Sequence, residues 1–344
     1  MVTLCTLFNV NYLDKGLVLY DSLNSVSKDF TLYILAMDDK CYEVLQELHL
    51  KNIIPIKYSD FENEELKEAR GNRTMGEFCW TCSSSLIEYI FEKYNPDDCT
   101  YIDADLYFYD DPKIIINEMY ENGASALVTP HRFNKFEEKK QKVVGKYCVE
   151  FNTFRNDRRG RNLLSVWRDQ CLCCCKCLGD GKHWGDQKYL DQWLEIYDYV
   201  VETSHIGAGM APWNINQYKL VTDSPKLRVR RKGITQNLIF YHFEGITYLS
   251  EDIANIRAFN TWGVDSNLVN KLYKHYLNRI KEKKQLLEGY GVKVLISSHP
   301  AVIPQKITIS QRIKAVISNI LNFKHLFYIS IPSHFYKNSN YIRI

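Results

Sequence analysis

The strongest constraint on the fold is a regular alternation of short apolar, β-branched runs with helical stretches over the first hundred residues. Val2–Phe8 reads as a buried strand and residues 16–25 as an amphipathic helix. Phe30–Ala36 is a second strand, residues 39–48 a helix, and Ile53–Lys57 a third strand. A helix over about 80–93 then precedes a strand through Tyr101. Such alternation implies a parallel, doubly wound sheet with helices on both faces. Sheets of this kind bind ligands beyond the carboxyl ends of their strands. Further on, residues 124–129, 147–154 and 238–242 read as strands, and the charge run 135–142 as a solvated helix or loop. Gly179-Asp180-Gly181 is a turn, and Asp186 is suited to N-cap a short helix running to Trp193. Residues 268–288 form a polar, Lys-rich helix expected to pack on one face only.

The chemistry concentrates at Asp103-Ala104-Asp105, directly after the apolar run 99–102. Two carboxylates spaced i, i+2 at the end of a strand can converge on one hard cation once the backbone turns. Mg²⁺ and Mn²⁺ take oxygen ligands and bridge readily to diphosphates. A cation held there can neutralise the charge that builds on a leaving diphosphate. No glycine-rich phosphate loop follows the first strand, where Phe8-Asn9-Val10-Asn11 stands instead.

The chain has 344 residues and a net charge of +3, which gives no strong nucleic-acid signal. Its 24 tyrosines suit stacking on bases and sugars, and equally the edge of a core. The 11 cysteines, with no signal peptide apparent at the start, lead us to expect reducing cytosol and free thiols. Cys171, Cys173, Cys174, Cys175 and Cys177 crowd one helical stretch and point in several directions, so idle thiols are expected rather than a zinc site. From Pro300 onward the chain carries Lys306, Arg312, Lys314, Lys324, Lys337 and Arg343 and no acid. There Ile309, Ile313, Val316, Ile317, Ile320 and Leu321 make one helical stripe. A basic amphipathic helix of this kind suits an anionic membrane surface, and also packing on the catalytic unit or a second subunit.

Several short motifs occur in a characteristic order. They are Asn11-Tyr12, Phe78-Cys79-Trp80-Thr81, Tyr101-Ile102-Asp103-Ala104-Asp105, Phe154-Arg155-Asn156-Asp157, Gly185-Asp186-Gln187-Lys188-Tyr189-Leu190, Ala211-Pro212-Trp213-Asn214 and Tyr241-His242-Phe243. In this order they resemble the nucleotide-diphospho-sugar transferases of the GT-A fold, and more narrowly bacterial transferases related to glycosyltransferase family 8. The resemblance implies an α/β fold with a Rossmann-like sheet flanked by helices and a helical C-terminal extension. It implies a catalytic domain over 1–250, with a nucleotide half to about 110 and an acceptor half beyond, an extension over 251–298 and a basic tail over 299–344.

The resemblance also implies roles. Phe8, Asn9, Asn11 and Tyr12 would meet the nucleotide, with Asp103 and Ala104 beside its phosphates. Separately, Arg70 and Arg73, between the nucleotide half-sheet and the helix before the acid pair, are placed so that one could fork onto a phosphate. Asp103, Asp105 and His242 would hold Mn²⁺ or Mg²⁺, with His205 as the rival histidine. Asp186 and Gln187 would face the sugar and acceptor as catalytic residues. Glu150 is a further carboxylate candidate, on one strand face with Cys148 and Asn152. Asn152, Trp213 and Asn214 would contact sugar or acceptor. A carboxylate at a helix N-terminus stays ionised, and this is expected of Asp186. The chain departs from the family at Ala211, where a lysine for the diphosphate is usual. The implied activity is transfer of a sugar from a nucleotide donor, a UDP-sugar above all, to a glycan or lipid-linked acceptor in bacterial surface polysaccharide synthesis, in the cytoplasm or at the inner face of the membrane. A nucleotidyltransferase making nucleotide-sugars, or a non-catalytic carbohydrate-binding relative, are the alternatives.

Overall fold

The structure, a computed structural model, describes residues 1–134, 137–250, 253–258, 263–293 and 340–343. The amphipathic helix expected from residue 309 lies outside the described residues. The eight strands β1 (Val2–Phe8), β2 (Phe30–Ala36), β3 (Ile53–Lys57), β4 (Asp98–Ile102), β5 (Leu106–Phe108), β6 (Ala126–Pro130), β7 (Tyr147–Arg155) and β8 (Val200–Glu202) include all those of the main sheet. That sheet has seven strands in the order β3-β2-β1-β4-β7-β6-β8, with β5 outside it. Its strands run parallel except for β7, which is antiparallel to both β4 and β6. The expected wholly parallel sheet is corrected at this one strand. β7 is the strand through which Glu150 and Cys148 enter the molecule.

Helices cover both faces. On one, α1 (Leu13–Val26), α2 (Asp39–Glu47) and, later, α6 (Lys113–Glu121) pack on Leu4, Phe8, Leu32 and Ile34. On the other, after the short α3 (Tyr58–Phe61) and α4 (Glu64–Arg70), the long α5 (Met75–Tyr94) and α8 (Arg158–Cys173) pack on Cys5, Leu7, Tyr33 and Leu35. Neighbouring residues of one strand thus feed opposite cores, as period-two alternation requires. Between these helices lies α7 (Glu138–Val144), which buries no residue and confirms the solvated charge run. The short α9 (Trp193–Ile196) follows α8.

α1 is buried along most of its length rather than amphipathic, because the C-terminal helix α10 (Ser266–Glu288) covers its outer side. Arg279 and Lys283 of α10 both reach Asp21 of α1, at 2.6 and 2.7 Å. α10 buries one stripe, including Leu272, Tyr273, Tyr276 and Ile280, as its pattern predicted. The third core beneath that stripe is completed by β9 (Lys219–Val221), β10 (Arg228–Arg231), β11 (Ile234–Asn237) and β12 (Phe240–His242) together with the turns around them. β12 pairs antiparallel with β5, placing His242 opposite Leu106. A small sheet of β13 (Thr247–Ser250), β14 (Ile253–Asn255) and β15 (Tyr341–Arg343) closes the described chain.

Candidate functional site

β4 ends at Ile102, and the backbone then turns, with Leu106 N–H donating to the Asp103 carbonyl at 3.3 Å. The turn is anchored from two sides. Asp103 N–H donates to the Glu150 carbonyl at 3.1 Å, and Phe243 N–H donates to the Asp105 carbonyl at 3.0 Å. These bonds bring His242 onto the acid pair. Its Nε2 lies 3.0 Å from Asp105 Oδ1 and 3.6 Å from Asp103 Oδ2. Its Nδ1 lies 2.6 Å from Glu150 Oε2. One ligand atom from each of Asp103, Asp105 and His242 falls within 4.8 Å of the others, a span that one cation can bridge. His205 is not part of this group. Its Nδ1 accepts from Gly207 N–H at 3.2 Å, folding its own loop.

The electrostatics follow from three carboxylates around one imidazole. Burial raises Asp103 above the ordinary carboxylate range, and the charges of Asp105 and Glu150 add to this against the pull of His242. Burial acts the same way on Asp105, but the charge and hydrogen bond of His242, with Lys15 behind, outweigh it and hold that carboxyl below its ordinary range. Burial would lower His242, yet the Asp105 charge and the imidazole's hydrogen bonds to Asp105, Cys148 and Glu150 raise it well above its ordinary value. An imidazole flanked by anions behaves in this way, because they stabilise the charged form.

This cluster lies on the wall of a cleft of about 810 Å³. Phe8, Asn9 and Tyr12 from the end of β1, with Asp103, Ala104 and Asp105, line the cleft. Asp186, Gln187, Trp213 and His242 line it as well. The Tyr12 ring carries the Lys15 ammonium 3.9 Å from its centroid, so a cation covers one face. Trp213 stands edge-on to His242 with ring centroids 5.4 Å apart.

Asp186 is not the helix cap expected of it. The following turn is a 3₁₀ helix, Lys188–Gln192, whose first flanking residue is Gln187 and which has no side-chain cap. At Gly185 the backbone takes φ +57, where a side chain would be strained, and a Cβ there would also crowd the Trp80 ring at 3.2 Å. The chain turns the Asp186 carboxylate inward, where it accepts from Ser83 Oγ at 2.8 Å. Burial pushes it up to about 7, the Ser83 hydrogen bond opposing, rather than a helix dipole holding it down.

Five other expected site residues do not line the cleft. The Arg73 guanidinium donates to the carbonyls of Cys171 (2.8 Å) and Leu172 and to Thr81, tying α5 to the end of α8 instead of awaiting a phosphate. Asn11 is exposed in the short 3₁₀ turn capped by Asn9. Asn152 is fully buried and accepts from Thr129 N–H at 3.2 Å. Asn214 spends its amide on loop backbone, accepting from Ala211 N–H and donating to the carbonyls of His131 and Gly209. Glu150 is fully buried behind His242, which it can orient without facing a ligand. The cysteines are free thiols, and no cysteine-only metal group occurs among the described residues.

Other wall residues were not anticipated: Trp80, Trp184, His131 and Arg257. Trp80 had a signal, since it precedes Ser83 by one helical turn in the α5 motif and remains exposed. Arg257 had none, because it follows the part of the chain that the motifs cover.

No family model matches the chain. It is 32% identical over 296 residues to the uncharacterized protein YfnF of Bacillus subtilis (strain 168), covering 83% of this chain and 94% of YfnF. It is 29% identical over 281 residues to YfnD of the same organism, covering 80% and 88%. Among solved structures it is similar to the galactosyltransferase LgtC in complex with donor and acceptor sugar analogs, with a TM-score of 0.52 and 13% identity over 84% of this chain and 100% of that chain. At that identity the likeness is one of fold, the GT-A fold with its mixed sheet between helical layers.

Proposed function

The chain belongs to the family of the Bacillus subtilis protein YfnF and has the GT-A fold, and from that premise we propose that it is a metal-dependent glycosyltransferase of hexosyltransferase type. It moves a sugar from a nucleotide-diphosphate donor, a UDP-sugar, to a glycan or lipid-linked acceptor. The observation that carries this reading is the meeting of Asp103, Asp105 and His242 in a cleft also lined by Phe8, Asn9 and Tyr12. Two carboxylates and an imidazole fit Mn²⁺ or Mg²⁺. A cation there, when bound, offsets negative charge on the departing diphosphate.

The chain's own residues do the rest. Tyr12, Phe8 and Asn9 seat the base, and Ala104, with no bulk, lets phosphates approach the aspartates. Glu150 accepts the Nδ1–H of His242, which aims Nε2 at Asp103 and Asp105; metal-ligating histidines are commonly held in this way. Asp186 and Gln187 orient the sugar and acceptor. Trp213 walls the sugar side, while Asn214 and Asn152 support that wall from within. In this reading residues 1–250 are the catalytic unit and 251–298 an extension, whose helix α10 packs on α1. A nucleotidyltransferase is disfavoured because β1 runs into a 3₁₀ turn and not a glycine-rich phosphate loop.

A screen of nucleotide-sugars for release of free nucleoside diphosphate with Mn²⁺ tests the proposal. One UDP-sugar should release UDP, faster with acceptor and not at all in excess chelator. A protein that releases no nucleoside diphosphate from any donor is not this enzyme.

No described helix is long and apolar enough to cross a membrane. We place the protein at the cytoplasmic membrane surface in surface-polysaccharide synthesis, held by its basic tail. The full chain should sediment with phosphatidylglycerol vesicles, less so as salt rises, each nearby Lys or Arg adding about 1 kcal/mol. Replacing Arg312, Lys314, Lys324 and Lys337 by glutamine should abolish binding; unchanged sedimentation refutes the anchor. These substitutions are preferable to truncation near residue 298, which would also remove β15.

A further inference from the structure

We propose that Arg257, beyond the part of the chain that its motifs cover, is the side chain that grips the diphosphate of the nucleotide donor. This rests on the nucleotide-sugar reading above. The cleft wall is rich in acid, with Asp103, Asp105, Asp186, Glu137 and Glu244 on it. A nucleoside diphosphate brings more negative charge, which one divalent cation offsets only in part. Among the described residues, two lysine or arginine side chains line the cleft, Lys140 and Arg257. Lys140 is engaged with Glu137 at 2.7 Å on the solvated helix α7. Ala211, on the loop that carries Trp213, is fully buried and carries no charge.

Arg257 is placed differently. It follows β14 with φ +56, a left-handed conformation uncommon for a non-glycine residue and concentrated at functional sites. The strand before it is pinned, since β15 pairs with β14 and Ile256 N–H donates to the Asn340 carbonyl at 2.9 Å. The side chain lies on Gly245, where a Cβ would come within 2.8 Å of Arg257 Cδ and 2.9 Å of Nη1. Gly245 stands three residues after His242, and Phe243 between them is bonded to the Asp105 backbone. The guanidinium is therefore seated on the segment that carries the cation-binding histidine. Its ion pair with Glu244 is 3.4 Å long and about half exposed, so it is weak and, among the described residues, leaves most of the donors of the fork available. A planar guanidinium matches two phosphate oxygens, which a lysine ammonium does not.

Calorimetric titration of the full chain with a nucleoside and its mono- and diphosphate, in Mn²⁺, tests this. The base is whichever of U, G, A and T the wild type binds best. Arg257→Gly suits the left-handed backbone, so the melting temperature should hold or rise. Its affinity for the diphosphate should fall roughly tenfold to a hundredfold, as expected for lost hydrogen bonds to a charged group. Affinity for the nucleoside should stay within about twofold, and Arg257→Lys should recover only part of the loss. Unchanged diphosphate affinity in Arg257→Gly overturns the assignment. So does an equal fall for nucleoside and diphosphate, which would mean a structural role only. If the wild type binds no nucleoside diphosphate with Mn²⁺, the nucleotide-sugar reading fails first and the inference falls with it.

Discussion

Asp105→Ala is expected to abolish divalent-cation binding and sugar transfer while the protein stays folded. Asp105 is nearly buried and meets His242 Nε2 at 3.0 Å. Its loss leaves one carboxylate and one imidazole, too few to hold a weakly bound hard cation against water. Turnover should drop by about 10²-fold or more, since a bound cation supplies several kcal/mol of charge stabilisation. Stability in chelator should fall without unfolding the protein, because the ionised Asp105 is held by His242, while Asp103 and Glu150 still flank that imidazole once Asp105 is gone. Thermal melts provide a reading independent of activity. Mn²⁺ should raise the wild-type melting temperature by mass action and leave the variant unmoved. A variant that still shifts with Mn²⁺, or a wild type fully active in excess chelator, would sink the cation site.

Asp186→Asn should separate function from folding at the other carboxylate. Asparagine keeps the shape and can still meet Ser83 Oγ, which lies 2.8 Å from the carboxylate. If Asp186 orients the sugar or accepts a proton, turnover falls by about 10²-fold or more, within the range for a positioned acid–base group. Stability should move in the opposite direction with pH. Burial raises the Asp186 pKa from 3.8 to about 7, so the folded protein holds a proton that the unfolded chain releases. That costs the wild type stability as pH rises from about 4, and the cost is complete above about 7, reaching roughly 4 kcal/mol at most. Asparagine has no such cost. The variant should therefore be the more stable protein at pH 8, with the gap closing as pH falls towards 4. Near-wild-type turnover would reduce Asp186 to a structural residue, and a gap of the opposite sign at pH 8 would mean that folding lowers its pKa rather than raising it.

Much of the frame was legible because it is local. β1, β2 and β3 begin and end where the apolar runs do, and the acid pair sits at the end of β4 as its spacing implied. The start of α5 was also legible in principle. Thr74 and Glu77 form a reciprocal capping box that begins six residues before Trp80, a pattern visible in sequence. The errors arose where a local cue met a tertiary contact. Asp186 has the spacing of a cap, but Gly185 turns it inward to Ser83, 103 residues away in sequence. Arg73 lies where a phosphate clamp was expected, but the carbonyls at the end of α8 take its guanidinium.

The chain alone carried the order of the first strands and helices, the family likeness and the identity of the acid pair. These depend on periodicities of two and 3.6 residues and on spacings within one turn. Which distant groups join that pair was set by long-range strand pairing. Inserting β7 antiparallel beside β4 puts Glu150 behind the acids, and pairing β12 with β5 selects His242 over His205. Pinning β14 against the last described strand sets Arg257 on the same cleft. Contacts between residues a hundred or more apart are chosen by which strand edges and helix faces bury together, and no local pattern encodes that choice.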